Sequence, residues 1–263
     1  MQRLGKNKGG YFGQIIDVST VLDDIEVAAR RSHWASEIYH QTATFKHTAL
    51  RRSPHTPGSS SSAPRVYIST GMHGDEPAGP LAGLRLLRED RWPAHLDLWF
   101  CPCLNPAGLA LNRRENPDGK DLNRDYLHLE TAEVRAHVAW LERQPGFDLC
   151  LCLHEDWESH GFYVYELNPD HRPSLAEPIV EAVSRVCPVD QSEIIEGRPA
   201  RGGIIRPDID PRTRPQWPEA FWLQMNKTRL SYTLEAPSDF PLETRVNALV
   251  AGVNAALEMM KPL

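Results

Sequence analysis

The chain has 263 residues, of which 41% are hydrophobic and 24% are charged, and its formal net charge is -6. This length can bury the core of one domain. The negative charge argues against a global attraction to nucleic acid or to an anionic membrane. No uninterrupted apolar stretch approaches the roughly 20 residues of a membrane span, and the basic first ten residues lead into no apolar signal segment. We therefore predict a cytoplasmic protein with no nucleic-acid or membrane partner.

Helices and strands are predicted to alternate along the chain. A helix from Ser19 to Ala35, capped by Ser19 or Thr20, precedes one or two short strands between Glu37 and Leu50. The turn-forming run 53–64 is predicted to be a surface loop. The later predicted strands cover 66–70, 96–104, 147–153, 161–167 and 230–235. The later predicted helices cover 77–87, 131–143, 175–186 and 242–259.

This alternation predicts an α/β sandwich whose central sheet is covered by helices on both faces. We predict a single domain with three parts: an N-terminal helix and strands (1–65), a motif-bearing core (66–237) and a closing helix (238–263). Ligand sites in such sheets gather at the carboxyl ends of the strands. We therefore expect the functional side chains to lie at those ends.

The five cysteines are predicted to be structural. Cys101 and Cys103, like Cys150 and Cys152, are two residues apart in apolar runs, so each pair lies on one face of a strand. Neither pair has the Cys-x2-Cys loop spacing that is typical of a zinc site. We interpret these four residues and Cys187 as buried free thiols, which suits a cytoplasmic protein.

Three short segments place a metal-competent residue where a predicted strand ends. His73 and Glu76 lie three residues apart in Gly-Met-His-Gly-Asp-Glu and can converge on one ion, because Gly74 allows a tight bend between them. His154 closes a second strand and supplies a third ligand. A catalytic zinc takes three protein ligands and leaves one position for water. Glu235, at the end of a third strand, is the candidate base that activates this water.

Each of these signals has an ordinary structural explanation when taken alone, and only their conjunction favours a metal site. The neighbouring acids Asp75, Glu155 and Asp156 leave a two-metal aminopeptidase open, since that site needs additional bridging carboxylates. We favour a role for them as outer partners that orient the two histidines. His160 is either a further ligand or, in the favoured interpretation, a residue of the rim.

A polar loop leaves another strand end and carries Asn105-Pro-Ala-Gly followed by Asn112 to Tyr126. It delivers Arg113, Arg114, Asn123 and Arg124. Arginine offers a fork of donors that matches a carboxylate, and it can polarise a scissile carbonyl. The alternative is a surface network with the acids of the same loop, Glu115, Asp118, Asp121 and Asp125. We favour that network for Arg113.

The order His-Gly-Asp-Glu, Asn-Pro-x-Gly, Asp-Leu-Asn-Arg, strand-end His and strand-end Glu resembles the zinc carboxypeptidase A-like metallopeptidases. The short bacterial amidase and carboxypeptidase members, and the related aspartoacylase and succinylglutamate desuccinylase group, look closest. The resemblance runs from about Val66 to Pro237. It implies a three-layer α/β sandwich around a mixed, mostly eight-stranded sheet and one Zn²⁺ per chain.

The resemblance also implies a role for each matching residue. The zinc ligands would be His73, Glu76 and His154, and the general base would be Glu235. Arg114 would stabilise the oxyanion, and Asn123 with Arg124 would bind the free carboxylate of the substrate. Peptidases of this family carry a tyrosine on a mobile loop about twenty residues before the base. Here the stretch 197–230 has no tyrosine, and its first part instead carries five arginines, Arg198, Arg201, Arg206, Arg212 and Arg214.

Two enzymatic functions follow as hypotheses. The first is a zinc-dependent carboxypeptidase or peptide amidase that cleaves an amide bond next to a free carboxylate. The second is an N-acyl amino acid deacylase whose anionic substrate is recognised by arginine. A small peptide or an acyl amino acid is thus the expected partner, and the sequence leaves the oligomeric state open. A non-catalytic binding module is disfavoured, because that hypothesis predicts damage to a ligand or to the base and all four positions are intact.

Overall fold

The computed structural model describes residues 16–54 and 63–261. The predicted surface loop falls mainly on 55–62, and the basic first ten residues also lie outside the described residues. The described helices are α1 (Val18–Arg31), α2 (Ala78–Glu89), α3 (Pro106–Leu111), α4 (Ala132–Glu142), α5 (Ala176–Ser184), α6 (Glu219–Asn226) and α7 (Leu242–Met259). None of these helices is long and apolar enough to cross a membrane.

The strands form one mixed sheet. They are β1 (Ala35–Gln41), β2 (Lys46–Arg52), β3 (Arg65–Thr70), β4 (Asp97–Cys101), β5 (Leu149–Asp156), β6 (Tyr163–Leu167), β7 (Ile194–Ile195), β8 (Arg198–Arg201), β9 (Ile204–Ile205) and β10 (Ser231–Pro237). Their order across the sheet is β1-β2-β4-β3-β5-β10-β6-β9-β8-β7. The described sheet therefore has ten strands, two of which, β7 and β9, are only two residues long.

Two hydrophobic cores cover the two faces of this sheet. Helices α1, α2, α5 and α7 pack on one face, and α4 and α6 pack on the other. Alternate residues of β5 divide between the cores: Leu151 enters the first, whereas Cys150 and Cys152 enter the second. The three-layer α/β sandwich predicted from the sequence is confirmed. All five cysteines are buried and free, as expected.

Local capping explains where some elements begin. Helix α1 starts at Val18, because the side chain of Asp17, rather than that of Ser19 or Thr20, accepts from the backbone N–H of Thr20. Strand β4 ends at Cys101, directly before Pro102, which cannot donate to a sheet. Helices α3 and α6, with six and eight residues, were not predicted, since so few residues show little helical periodicity.

Candidate metal centre and active site

Three strands in the middle of the sheet bring the candidate residues to one edge. Strands β3, β5 and β10 are parallel neighbours, so their carboxyl ends meet. His73 and Glu76 follow β3, while His154 and Glu235 lie near the ends of β5 and β10. Glu235 and His154 are direct partners in the strand register. The sheet thus assembles side chains that are separated by up to 162 positions in the sequence.

The two histidines and Glu76 form a compact buried group. His73 Nδ1 lies 2.5 Å from Glu76 Oε1, and His154 Nδ1 lies 2.9 Å from Glu76 Oε2. Burial opposes the charge of Glu76, but the two imidazoles outweigh it and lower the pKa of this carboxyl well below its ordinary value. One ligand atom from each of the three side chains lies within 4.8 Å of the others.

This group fits a catalytic metal ion by its donor chemistry and its surroundings. Two imidazoles and one carboxylate are a common donor set for catalytic zinc. The outer nitrogen of His73, Nε2, lies 3.4 Å from Asp121 Oδ1, in the place of the carboxylate that often orients a metal-binding histidine. Within the described residues, this is the group of histidine, cysteine and acidic side chains that could hold a metal ion.

Close backbone packing explains the glycine between the two first ligands. A Cβ atom on Gly74 would lie 2.0 Å from the carbonyl carbon of Gly108 and 2.3 Å from the backbone oxygen of Arg113. The sequence predicted that Gly74 permits a tight bend. In the structure, a glycine is needed at this position because the backbone of another loop approaches it closely. In the Asn-Pro-x-Gly motif, Asn105 Oδ1 accepts from the N–H of Gly108 and caps helix α3. The motif therefore packs the polar loop against the ligand-bearing turn.

Glu235 lies beside the candidate metal group in the same cavity. Burial raises the pKa of its carboxyl well above the ordinary value, and the carboxylates of Glu76, Glu196 and Asp156 add to this effect. A carboxylate with a raised pKa is a stronger base. Its placement and its proton affinity both suit a group that accepts a proton from water.

The polar loop also lines this cavity. Arg114 reaches it, with Nε 2.9 Å from Asp121 Oδ2 and Nη1 3.7 Å from Glu76 Oε1, whereas Arg113 is not among the lining residues. Asn123 and Arg124 both line the cavity. The structure therefore brings all seven predicted site residues to one cavity of about 830 Å³.

The five arginines of the segment 198–214 have different surroundings. Arg198 and Arg214 line the cavity. Arg206 instead forms ion pairs with Glu166 and Glu177, and Arg212 pairs with Asp210 on the surface. Arg201 is exposed and is not a lining residue. Only two of the five arginines can therefore contact a molecule in the cavity.

Comparison with known proteins supports the resemblance. Residues 62–184 match the family model of the succinylglutamate desuccinylase/aspartoacylase catalytic domain. A crystal structure of a candidate metallopeptidase from Shewanella amazonensis SB2B aligns with a TM-score of 0.80 and 25% identity over 94% of each chain. Carboxypeptidase 2 of Trichophyton rubrum is 33% identical over 124 residues, which are 41% of this chain and 22% of that protein. The chain is similar to zinc carboxypeptidase-like metallopeptidases.

The matches cover different shares of the relatives' own lengths. The match spans less than a quarter of the fungal carboxypeptidase. A metallo-carboxypeptidase from Burkholderia cenocepacia shares the fold, with a TM-score of 0.67 and 18% identity over 94% of this chain and 70% of that one. The relatives are named metallopeptidases and carboxypeptidases, and this chain is similar to them in fold and in part of its sequence.

The outer partners of the histidines differ from those expected. Glu155 does not orient His154: its carboxylate accepts from the N–H of Ala78 and from buried Arg245. Asp156 accepts from the hydroxyl of Tyr163 and from the N–H of Glu158. Asp75 has one buried carboxylate oxygen without a hydrogen-bond partner. None of these three acids is placed as a bridging ligand in the candidate metal group.

The orienting residue that the sequence did not reveal is Asp121. Besides lying near His73, it binds Arg114 through Oδ2 and accepts from the N–H of Asn123 through Oδ1. Burial opposes its charge, but His73 and then Arg114 lower the pKa of Asp121 well below its ordinary value. The signal for this role was present in the motif Asp-Leu-Asn-Arg, where Asp121 precedes the predicted carboxylate-binding pair by two residues.

A second missed feature is a buried hydrogen-bond network around Glu219, at the start of α6. Its Oε1 accepts from the hydroxyl of Tyr67 and its Oε2 from that of Ser69, each at 2.8 Å. The Tyr67 hydroxyl also contacts His137 Nε2 at 2.9 Å, and His137 Nδ1 contacts the hydroxyl of Tyr126 at 2.7 Å. This network lies in the core between the sheet and helices α4 and α6.

We expect Glu219 to make folding stability depend on pH. Burial raises its pKa to about 7 from an ordinary 4.5, although hydrogen bonds from Ser69 and Tyr67 oppose the shift. The folded state then holds the proton more tightly than the unfolded state, so stability is lost as the pH rises from 4.5 to 7. The loss amounts to roughly 3 kcal/mol. Urea unfolding of the wild type and Glu219→Gln across this range measures it, and a pH-independent difference between them would contradict it.

Proposed function

We propose that this chain is a zinc-dependent hydrolase that cleaves an amide bond next to a free carboxylate. The observation that carries the proposal is that one cavity contains a His-Glu-His group, a carboxylate with a raised pKa beside it, and an Asn-Arg pair among its lining residues. Hydrolysis of such an amide requires an activated water, stabilisation of a developing oxyanion and a hold on the substrate carboxylate. Each requirement has a residue of suitable chemistry in this cavity.

His73, Glu76 and His154 would hold the metal ion, and Asp121 would fix the imidazole of His73. A zinc ion in such a site polarises a carbonyl and lowers the pKa of water. Glu235 would take the proton from the attacking water and pass it to the leaving amine. Apart from that of Asp121, these are the roles that the family resemblance implies for the matching residues.

Arg114 and the Asn-Arg pair would act on the substrate. Arg114 is held by Asp121 through Nε, so its other nitrogens remain directed toward the cavity and Glu76. This arrangement suits the stabilisation of an oxyanion. Asn123 has its Oδ1 engaged by the N–H of Glu219, which leaves its two amide hydrogens to donate to a carboxylate. Arg124 supplies the positive charge beside it.

The experiment that tests this proposal compares substrates with and without the carboxylate. Zinc-loaded protein is incubated with acylated dipeptides that end in a free acid or in a C-terminal amide, and we expect cleavage of the free acids alone. Arg124→Ala should raise the KM for free acids by about 10- to 100-fold and change kcat less, because it removes a charge-assisted hydrogen bond. The matched control is Arg113→Ala, from the same loop but outside the cavity. Equal cleavage of acids and amides would overturn the proposed specificity.

A second candidate function is the deacylation of N-acyl amino acids. Two observations favour it: residues 62–184 match the succinylglutamate desuccinylase/aspartoacylase domain, and Arg198 and Arg214 line the cavity. An acyl group that carries its own carboxylate could bind these arginines. Assays with N-succinylglutamate and N-acetylaspartate beside the dipeptides separate the two functions. If deacylation dominates, Arg198→Ala and Arg214→Ala should weaken it and leave dipeptide cleavage unchanged.

A further inference from the structure

The network around Glu219 is connected twice to the segment that carries Asn123 and Arg124. The direct connection is the hydrogen bond of 2.9 Å from the backbone N–H of Glu219 to Asn123 Oδ1. The indirect connection runs from the Glu219 carboxylate through Tyr67 and His137 to Tyr126, two residues beyond Arg124. Glu219 thus holds this segment by its backbone and by its side chain.

The series of hydrogen bonds from Tyr126 through His137 and Tyr67 to Glu219, here called the hydrogen-bond chain, has one direction of donation. The single hydroxyl hydrogen of Tyr67 goes to Glu219, so the Tyr67 oxygen must accept from His137 Nε2. His137 is neutral, because burial lowers its pKa to about 3, and its Nδ1 is then free to accept from the hydroxyl of Tyr126. Every donor in the chain therefore points toward Glu219. Hydrogen bonds aligned in this way polarise and strengthen one another.

Burial of the Glu219 carboxyl group in the core costs free energy. Its side chain is fully buried, with 1% of the residue exposed. In the described part of the chain, no lysine or arginine forms an ion pair with it. Its neighbours are the hydroxyls of Tyr67 and Ser69, the thiol of Cys152 and the N-terminus of α6, which favours a negative charge only modestly. A buried acid that lacks a cation is expensive to retain, and such groups often serve a functional site.

The residues next to Glu219 form part of the cavity wall. Pro218, Ala220 and Phe221, on either side of Glu219, line the cavity. The backbone of Trp217 also accepts from the N–H of Tyr126, which ties the residues before α6 to those after Arg124. The wall of the cavity and the predicted carboxylate-binding pair are therefore fixed to one another around Glu219.

We propose that Glu219 is a positioning residue that holds Asn123 and Arg124 in the geometry needed to bind the substrate carboxylate. This inference rests on the proposed function of that pair. Above a pH of about 7, where Glu219 is ionised, its carboxylate accepts from both hydroxyls at once, one hydrogen bond from Tyr67 and one from Ser69. Glutamine has the same shape but only one acceptor oxygen, so Glu219→Gln leaves one of the two donors facing an amide N–H₂. The aligned chain to Tyr126 then loses its anchor or must reverse.

The test uses three variants of the zinc-loaded protein. Glu219→Gln disrupts the hydrogen-bond chain at its acceptor end. Tyr126→Phe removes the donor at its other end, beside the segment with Asn123 and Arg124. Ser69→Ala is the matched control, since it removes a hydrogen bond from the same carboxylate but leaves the chain to Tyr126 intact. All assays are run at a pH above the pKa of Glu219, so that its carboxylate is ionised, and urea unfolding shows whether each variant is folded under these conditions.

Two readouts are measured on each variant. The first is the exchange rate and chemical shift of the Asn123 side-chain amide by NMR, which reports its position without any substrate. The second is the affinity of N-acetyl amino acids as free acids relative to their C-terminal amides. We expect Glu219→Gln and Tyr126→Phe each to weaken free-acid binding by about 10-fold or more and to leave amide binding unchanged. Their effects should not add in the double variant, because both act through one chain.

The outcomes separate this inference from the proposed function. If both variants lose stability but keep the wild-type ratio of acid to amide affinity and an unchanged Asn123 amide signal, the role of Glu219 is only structural. If Ser69→Ala reproduces the loss of acid binding, the chain to Tyr126 is not the cause. If the wild type itself does not distinguish acid from amide, the proposed function of Asn123 and Arg124 fails. In that case the Asn123 signal still decides whether Glu219 positions the segment.

Discussion

Replacing Glu235 with glutamine should lower the rate of amide hydrolysis by about 10³-fold or more while the metal stays bound. Glutamine keeps the shape of the side chain but cannot accept a proton from water. Glu235 lies next to His154 in the strand register, within the cavity that contains the candidate metal group. Its effect should therefore fall on kcat, because Asn123 and Arg124, and not Glu235, are the residues proposed to bind the substrate carboxylate.

The matched control for this prediction is Glu158→Gln. Glu158 lines the same cavity but is exposed at its rim, and it undergoes the same chemical change. We expect it to alter the rate only a few-fold, since the field of an exposed charge is screened by solvent. Steady-state kinetics of both variants, with their zinc content measured in parallel, decides the matter. Full activity in Glu235→Gln with zinc bound would remove Glu235 from the mechanism.

The parts of the fold and site that could be predicted are those whose signals are local in sequence. Apolar runs with turn residues beyond them marked the central strands, and the candidate ligands stand directly after such runs, as His154 does. Because parallel strands end at one edge of a sheet, this was sufficient to expect the candidate residues to lie together. Helix α7 was predicted with its observed bounds, Leu242–Met259, because 18 residues show the helical period clearly.

Features that depend on contacts distant in sequence could not be predicted. Glu219 meets Tyr67 across 152 positions, and its surroundings in the sequence are those of an ordinary surface acid. The surroundings of the five arginines could not be predicted either, because Arg198 and Arg201 lie in the short strand β8 and the other three lie in the largely irregular segment after β9. Strands of two to four residues carry too little periodicity to be recognised. The role of Gly74 was likewise hidden, since it depends on the backbone of a different loop.

The other large effect is expected on metal binding. Purified wild type should carry about one zinc per chain, and His154→Ala should bind zinc more than about 100-fold more weakly. This loss exceeds the 10- to 100-fold effect typical of outer partners, because a direct ligand is removed. Asp121→Asn, which weakens the hold on His73 Nε2, should fall within that smaller range. Elemental analysis and zinc titration of the apo-proteins measure all three.

His160→Ala provides the control for this series. It removes another histidine six residues after His154, but His160 is exposed and does not line the cavity. Zinc that binds the folded state alone also raises the melting temperature, by an amount that follows from its concentration and affinity. That increase should be present in the wild type and His160→Ala, smaller in Asp121→Asn and absent in His154→Ala. If the wild type neither contains zinc nor is stabilised by it, the buried His-Glu-His group is a relic of the family site. A binding module would then explain the intact cavity better than a hydrolase.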